Sequence, residues 1–257
     1  MNLRPSAYDT IDFDSAESSL LARKIMRSKK CLKDIYSEIY QDMMRVKDRY
    51  LVHGGTMLEI GSGGGFIKDI FPEVVTSDVK VIDGVDLVLN AETLPFPDNS
   101  VSAIFAVHVI HHIPDITVFL REAERVLVPG GGIVCVEPYW SPVARFVYKH
   151  MHPEPYDEHA PTWLITGDRP MSSSNQALSY LLLRRDNEKF SKLFPDLELV
   201  YERPFGFIRY MATGGVWLPP KVPEFAFGLL KILESLLRPI MPLIAIHHIF
   251  VWKKIPK

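Results

Sequence analysis

The stretch TMLEIGSGGGFIKDIF, residues 56–71, constrains this chain more than any other. An apolar run breaks into five small residues at 61–65 and then resumes. A strand that gives way to a glycine turn leaves its backbone open to close approach by a ligand. Three ligand loops share that outline. A phosphate loop needs Lys and Ser/Thr directly after its last glycine, and here Phe66 and Ile67 follow Gly65. A dinucleotide loop needs a third glycine three residues after its second, to pack helix on strand. Here the spacing is Gly61-x-Gly63-x-Gly65, and Phe66 takes that third place. The glycine pattern alone does not decide, and a plain strand–helix turn would share it; the neighbouring residues instead suit a ligand with a ribose, an adenine and an amino-acid tail but no phosphates. Glu59, two residues before the first glycine, can face an ammonium group. Asp78, which closes the next apolar run, stands where an acid accepts ribose hydroxyls. Asn90, in NAETLPFPDNS, can reach an adenine amino group.

The rest of the first half alternates strand and helix. Residues 15–50 read as helix, with a capping-box pattern at Asp14 and Glu17. Strands are expected at 57–60, 74–79, 85–89, 102–110 and 132–139, a helix after Gly65 ending at Pro72, and an amphipathic helix at 116–127. That order implies an open, mostly parallel α/β sheet. Beyond residue 140 the period fades. Residues 197–202 and 244–254 are the remaining strand candidates, and 204–243 is an apolar, Pro- and Gly-rich insertion.

In the order and spacing of their motifs, residues 58–139 resemble the class I S-adenosylmethionine-dependent methyltransferases of the type-11 group. The matching pieces are LEIGSGGG, VVTSDV, NAETLPFPDNSVSAIFAVHVIHHIPD, FLREAERVLVPGGG and IVCVEPYW. The resemblance implies a Rossmann-like, seven-stranded, mostly parallel sheet with helices on both faces and a last antiparallel strand. The chain then reads as one domain over 1–257: a helical cap to residue 50, a cofactor-binding core over 51–140, and a substrate side from 141. It implies S-adenosylmethionine as cofactor, held by Glu59, Gly61, Ser62, Gly63, Gly65 and Asp78. Asn90, Ala91 and Glu92 would face the adenine, and the backbone of Ala106 and Val107 the methionine end. The short gap between Asp78 and Asn90 leaves little room for the family's usual helix there.

Methyl transfer asks a protein mainly to hold the acceptor close and aligned, with a base when the acceptor is a hydroxyl. HVIHHIPD places His108, His111 and His112 just past the fourth strand, and HMHPEPYDEH adds His150, His152, Glu154, Asp157 and His159. His152 and His111 are the candidate bases, set against packing or surface roles for the same rings. The histidine spacing alone completes no metal site, and none is expected. Glu137, Tyr139 and Trp140 leave the fifth strand at its ligand-binding end and are expected to border the acceptor.

The net charge is −2, but residues 203–257 carry 8 Lys+Arg against 2 Asp+Glu, leaving 21 against 29 for the rest. A basic, apolar tail suits a membrane surface or an anionic substrate, and no nucleic-acid motif accompanies it. The insertion is read either as a buried cap or as a surface that meets lipid. The expected acceptor is a hydroxyl of a glycan, a glycolipid or another small lipid-linked molecule, with polysaccharide biosynthesis as its setting. A prenylated quinone-type molecule is the alternative. A non-catalytic S-adenosylmethionine-binding scaffold and a nicotinamide oxidoreductase are the rivals from other classes. Two distant cysteines, no apolar signal-peptide core in the first 14 residues and no 18-residue apolar run favour a reduced, cytoplasmic setting with peripheral membrane contact at most. A homodimer through the apolar C-terminal segment is a further expectation.

Overall fold

The computed structural model describes residues 12–255, apart from 168, 170 and 171. Its centre is a seven-stranded sheet in the order β3-β2-β1-β4-β5-β7-β6. The strands are β1 (Thr56–Ile60), β2 (Val75–Asp78), β3 (Leu87–Val88), β4 (Val101–Val107), β5 (Leu127–Pro138), β6 (Leu197–Phe205) and β7 (His247–Lys254). The first five run parallel, and β7 is antiparallel to both its neighbours. The expected fold therefore stands, with the closing strand where it was sought.

The sheet separates two cores, which explains why β4 and β5 read as almost continuous apolar runs. One core packs α3 (Ile116–Val126) with the segment around Leu181, Phe190 and Phe194. The other packs α2 (Lys30–Tyr50) against Phe105, Val134 and Val251. In α3 the N-cap Asp115 accepts from the backbone N–H groups of Thr117 and Val118, and only one face carries the buried apolar side chains.

Several boundaries moved. The N-terminal helix is two helices, α1 (Ala16–Ser28) and α2, broken at Lys29, whose backbone is extended. Its N-cap is Ser15, which accepts from the Ser18 N–H at 3.1 Å, while Asp14 instead bonds Ser172. The helix expected after Gly65 is one 3-10 turn, Ile67–Asp69. Phe66 is buried there between the rings of Tyr36 and Tyr40, so packing with α2 replaces helix propagation. No helix joins β2 to β3; Lys80 spans that gap to α1, with its Nζ 2.6 Å from Ser19 Oγ.

The substrate side comprises α4 (Pro142–His150), α5 (Leu178–Tyr180), a π turn at Leu181–Arg185 and α6 (Asn187–Leu193). Within the insertion lie α7 (Ile208–Thr213), α8 (Ala226–Leu236) and α9 (Met241–Ile244). It is tied to α2 by charge: Arg209 reaches Glu38 at 2.6 Å and Glu234 at 2.8 Å. Lys29 donates to the carbonyls of Gly215 and Val216 at 2.9 and 3.0 Å, and to that of Leu218. Cys31 and Cys135 are buried free thiols. Among the described residues, no helix is long and apolar enough to cross a membrane.

Candidate active site

The ends of β1, β2 and β4 open onto a cavity of about 490 Å³, roofed by α1 and the 214–218 loop and walled by the segment 147–154. Glu59, Gly61, Ser62, Gly63, Gly65, Asp78, Asn90, Ala91, Glu92 and Val107 all line it, as do His111 and His152. The glycine turn comes close because it must. Gly61 has φ +61°, and a Cβ there would lie 2.5 Å from Val109 Cγ2. The Gly63 N–H donates to Asp78 Oδ2 at 2.9 Å, and the Lys80 N–H to Oδ1 at 2.9 Å, so the acid is held at the strand end by backbone on both sides.

Glu59 is 2 % exposed, and its Oε2 has no hydrogen-bond partner. Burial first, and Asp78 second, push its carboxyl up to about 7. A buried acid left one bond short beside a cavity suits a cationic group of a ligand. Asn90 sits at the exposed rim, its Oδ1 accepting from the Glu92 N–H at 2.9 Å. Glu92 in turn accepts from the Asp115 N–H at 2.7 Å and fastens this loop to the start of α3. With a buried acid one bond short, a backbone cradle and a second acid held by backbone in one cavity, the residues present fit S-adenosylmethionine.

Ala106 corrects the expectation for the methionine end. It is fully buried between Ile60 of β1 and Cys135 of β5, and the cavity wall begins one residue later, at Val107. Glu137, Tyr139 and Trp140 also stand apart from the cavity. Tyr139 packs on Met241 and Ala245, and Trp140 lies against His248 and under the Arg184 guanidinium.

Glu137 works behind the wall. Its Oε1 accepts from the N–H groups of Val109 and Ile110, both at 2.9 Å, and its Oε2 pairs with His111 Nδ1. The Nε2 of His111 meets Gln176 at 3.2 Å and Glu154 Oε2 at 3.4 Å. Burial alone would push His111 down, but Glu137 and Glu154 raise it to about 10. His112 is held at about 4, by burial first and by the charge of His111 second. His108 stands in the left-handed region, φ +56°, with its ring 4.7 Å from that of His247; burial lowers it to about 4. Of the second histidine cluster, His152 and Glu154 reach the cavity, and His150, Asp157 and His159 do not. His152 packs against Tyr148, with its Nδ1 3.3 Å from the Glu154 N–H. Gln176 and Tyr148 escaped the sequence reading; neither sits in a motif, and only the fold brings them to the site.

Residues 58–135 match the family described as a methyltransferase domain. The demethylmenaquinone methyltransferase of Listeria monocytogenes is 26% identical over 165 residues, covering 62% of this chain and 59% of its own length. The ubiquinone/menaquinone biosynthesis C-methyltransferase UbiE of Brucella canis is 34% identical over 140 residues, covering 53% and 48%. The chain thus spans about half to three fifths of the curated relatives it matches. Among solved structures, a putative methyltransferase in complex with the Haloferax volcanii Trm112 activator has the same fold, with a TM-score of 0.50 and 16% identity over 95% of this chain and 98% of that one. The matched segment holds the glycine turn together with Glu59 and Asp78, and residues 58–135 are those of an S-adenosylmethionine-dependent methyltransferase domain.

Proposed function

We propose that this protein methylates a lipid-borne acceptor, with the hydroxyl oxygen of a glycolipid or similar lipid-linked molecule as the first choice. The observation that carries the lipid half is α8. Its one buried residue is Glu234, which accepts from the Phe207 and Arg209 N–H groups at 3.0 Å each. Its apolar side chains face out instead: Leu229 is 66% exposed, Ile232 61% and Leu236 72%, with Phe225 at 80% just before it. These positions form one stripe, which suits an acyl or prenyl surface better than water. The exposed face of α8 speaks for the lipid-meeting surface over a buried cap helix, while α7 and the 214–218 loop lie over the cavity.

S-adenosylmethionine, when bound, supplies a methyl carried on a sulfonium. Glu59 would hold its ammonium end, Asp78 its ribose, and the 61–65 turn would admit it without side-chain clash. The acceptor would enter between α4 and the 214–218 loop, where Tyr148, Met151 and Met211 give an apolar wall. His152 would take the proton of a hydroxyl acceptor, while His111 would position the wall from its place between Glu137 and Glu154.

A second reading, methylation of a prenylated quinone-type ring carbon, is supported by the names of the Listeria and Brucella relatives. One experiment separates the two. The protein is incubated with S-adenosylmethionine carrying a labelled methyl group and with lipid extract, and the labelled products are analysed by mass spectrometry. An oxygen-bound label on a polar lipid supports the first reading, and a ring-carbon label supports the second. Cofactor binding without label in any lipid would favour the non-catalytic scaffold.

A further inference from the structure

We infer that His111, His112 and Glu154 form a binding site for one divalent first-row cation on the acceptor side of the cavity. Three elements supply the parts. His111 and His112 come from the 3-10 turn after β4, Glu154 from the segment after α4, and Gln176 from the approach to α5. Glu154 Oε2 lies 3.4 Å from His111 Nε2 and 3.6 Å from His112 Nε2, and the three ligand atoms lie within 4.8 Å of one another. Ligands about 2.0–2.1 Å from a tetrahedral zinc ion are separated by about 3.3–3.4 Å. Little rearrangement would bring these three atoms around one ion. Two imidazoles and one carboxylate form a donor set used by zinc and by non-haem iron.

The surroundings favour ligation over a purely structural ion pair. Glu137 bonds His111 at Nδ1 and is itself fixed by two backbone N–H groups. That leaves Nε2 as the ligating nitrogen, with a carboxylate behind the ring, as metal-bound histidines commonly have. The Gln176 amide touches both His111 Nε2 and Glu154 Oε2, so a half-turn of it would present an oxygen to the same point. His111 is buried, whereas the Glu154 side chain is 21% exposed, and the cluster borders the cavity. An ion held there keeps a coordination position facing the cavity, open to an oxygen of the acceptor. That last point rests on the proposed oxygen methylation; the ion site does not.

The test uses the full-length protein stripped with a chelator and then dialysed free of it. Zinc and manganese are titrated in separately by calorimetry, beside a titration with S-adenosylhomocysteine. Cobalt is added in parallel, and its visible spectrum recorded. The expected result is one equivalent of zinc at micromolar affinity or tighter, and a cobalt spectrum of low coordination number. Binding should weaken at least tenfold in Glu154→Gln and in His112→Ala. A His53→Gln, His159→Gln variant, which removes two exposed surface histidines, should bind as the wild type does. Retained S-adenosylhomocysteine binding shows that each variant is folded; if His112→Ala loses it, Glu154→Gln carries the comparison. No stoichiometric metal, or metal bound equally by wild type and Glu154→Gln, overturns the site. S-adenosylhomocysteine binding without metal would sink this inference alone, whereas metal binding without S-adenosylhomocysteine binding would sink the cofactor reading and leave the site standing.

Discussion

Glu59 and Asp78 carry the cofactor reading, and their environments make different demands on pH. Folding raises the Glu59 carboxyl from its ordinary 4.5 to about 7, so the folded chain holds that proton more tightly than the unfolded one does. Its ionisation therefore costs stability progressively as pH rises from about 4.5 to about 7, and the cost is then constant. If the ionised acid meets the ammonium, S-adenosylhomocysteine affinity should fall about tenfold between about pH 8 and about pH 6. Glu59→Gln should flatten that dependence, bind more weakly at pH 8, and melt at a higher temperature there than the wild type. Calorimetry and thermal melts at both pH values check it; an unchanged slope in the variant would remove Glu59 from the cofactor site. Asp78→Ala should cost tenfold or more in affinity, about 1.4 kcal/mol, and equal affinities would remove Asp78 in the same way.

Among the elements, the glycine turn has little freedom at its first residue. Gly61→Ala combines a left-handed φ of +61° with a Cβ only 2.5 Å from Val109. It should destabilise the fold by about 1–3 kcal/mol and weaken cofactor binding, read together as a lower melting temperature and a higher Kd. This turn was legible because its spacing is read together with Phe66, Glu59 and Asp78, and β4, β5 and α3 because their apolar periods are long. The 3-10 turn after Gly65 was not legible: its helical pattern is genuine, but Phe66 prefers the rings of Tyr36 and Tyr40. The break at Lys29 was hidden too, since its cause is three carbonyls nearly two hundred residues away. Ala106 falls one position short of the cavity wall, a boundary that its motif does not mark. The histidines were found by motif, but Glu137 and Gln176 acquire meaning only once β5 and the approach to α5 converge on His111.

Viewed whole, the molecule has an acidic cofactor half and a basic, apolar flank. α8 turns its carboxylate inward and its leucines outward. Leu229→Asp with Leu236→Asp should change stability by only about 0.5 kcal/mol, because both side chains are already exposed. The same pair should lose co-flotation with anionic lipid vesicles while keeping cofactor affinity. Flotation equal to that of the wild type would show that the stripe serves some other contact. The roof of the cavity has a further consequence. The 214–218 loop is pinned to the junction of α1 and α2 by the ammonium of one lysine, and Trp217 meets Phe13 edge-on at 5.7 Å. Three hydrogen bonds from Lys29 thus hold the cover of the cavity to the α1–α2 junction. Lys29→Met removes all three bonds at once, so S-adenosylhomocysteine should dissociate faster from that variant in stopped-flow, and an unchanged rate would show that the loop does not gate exchange.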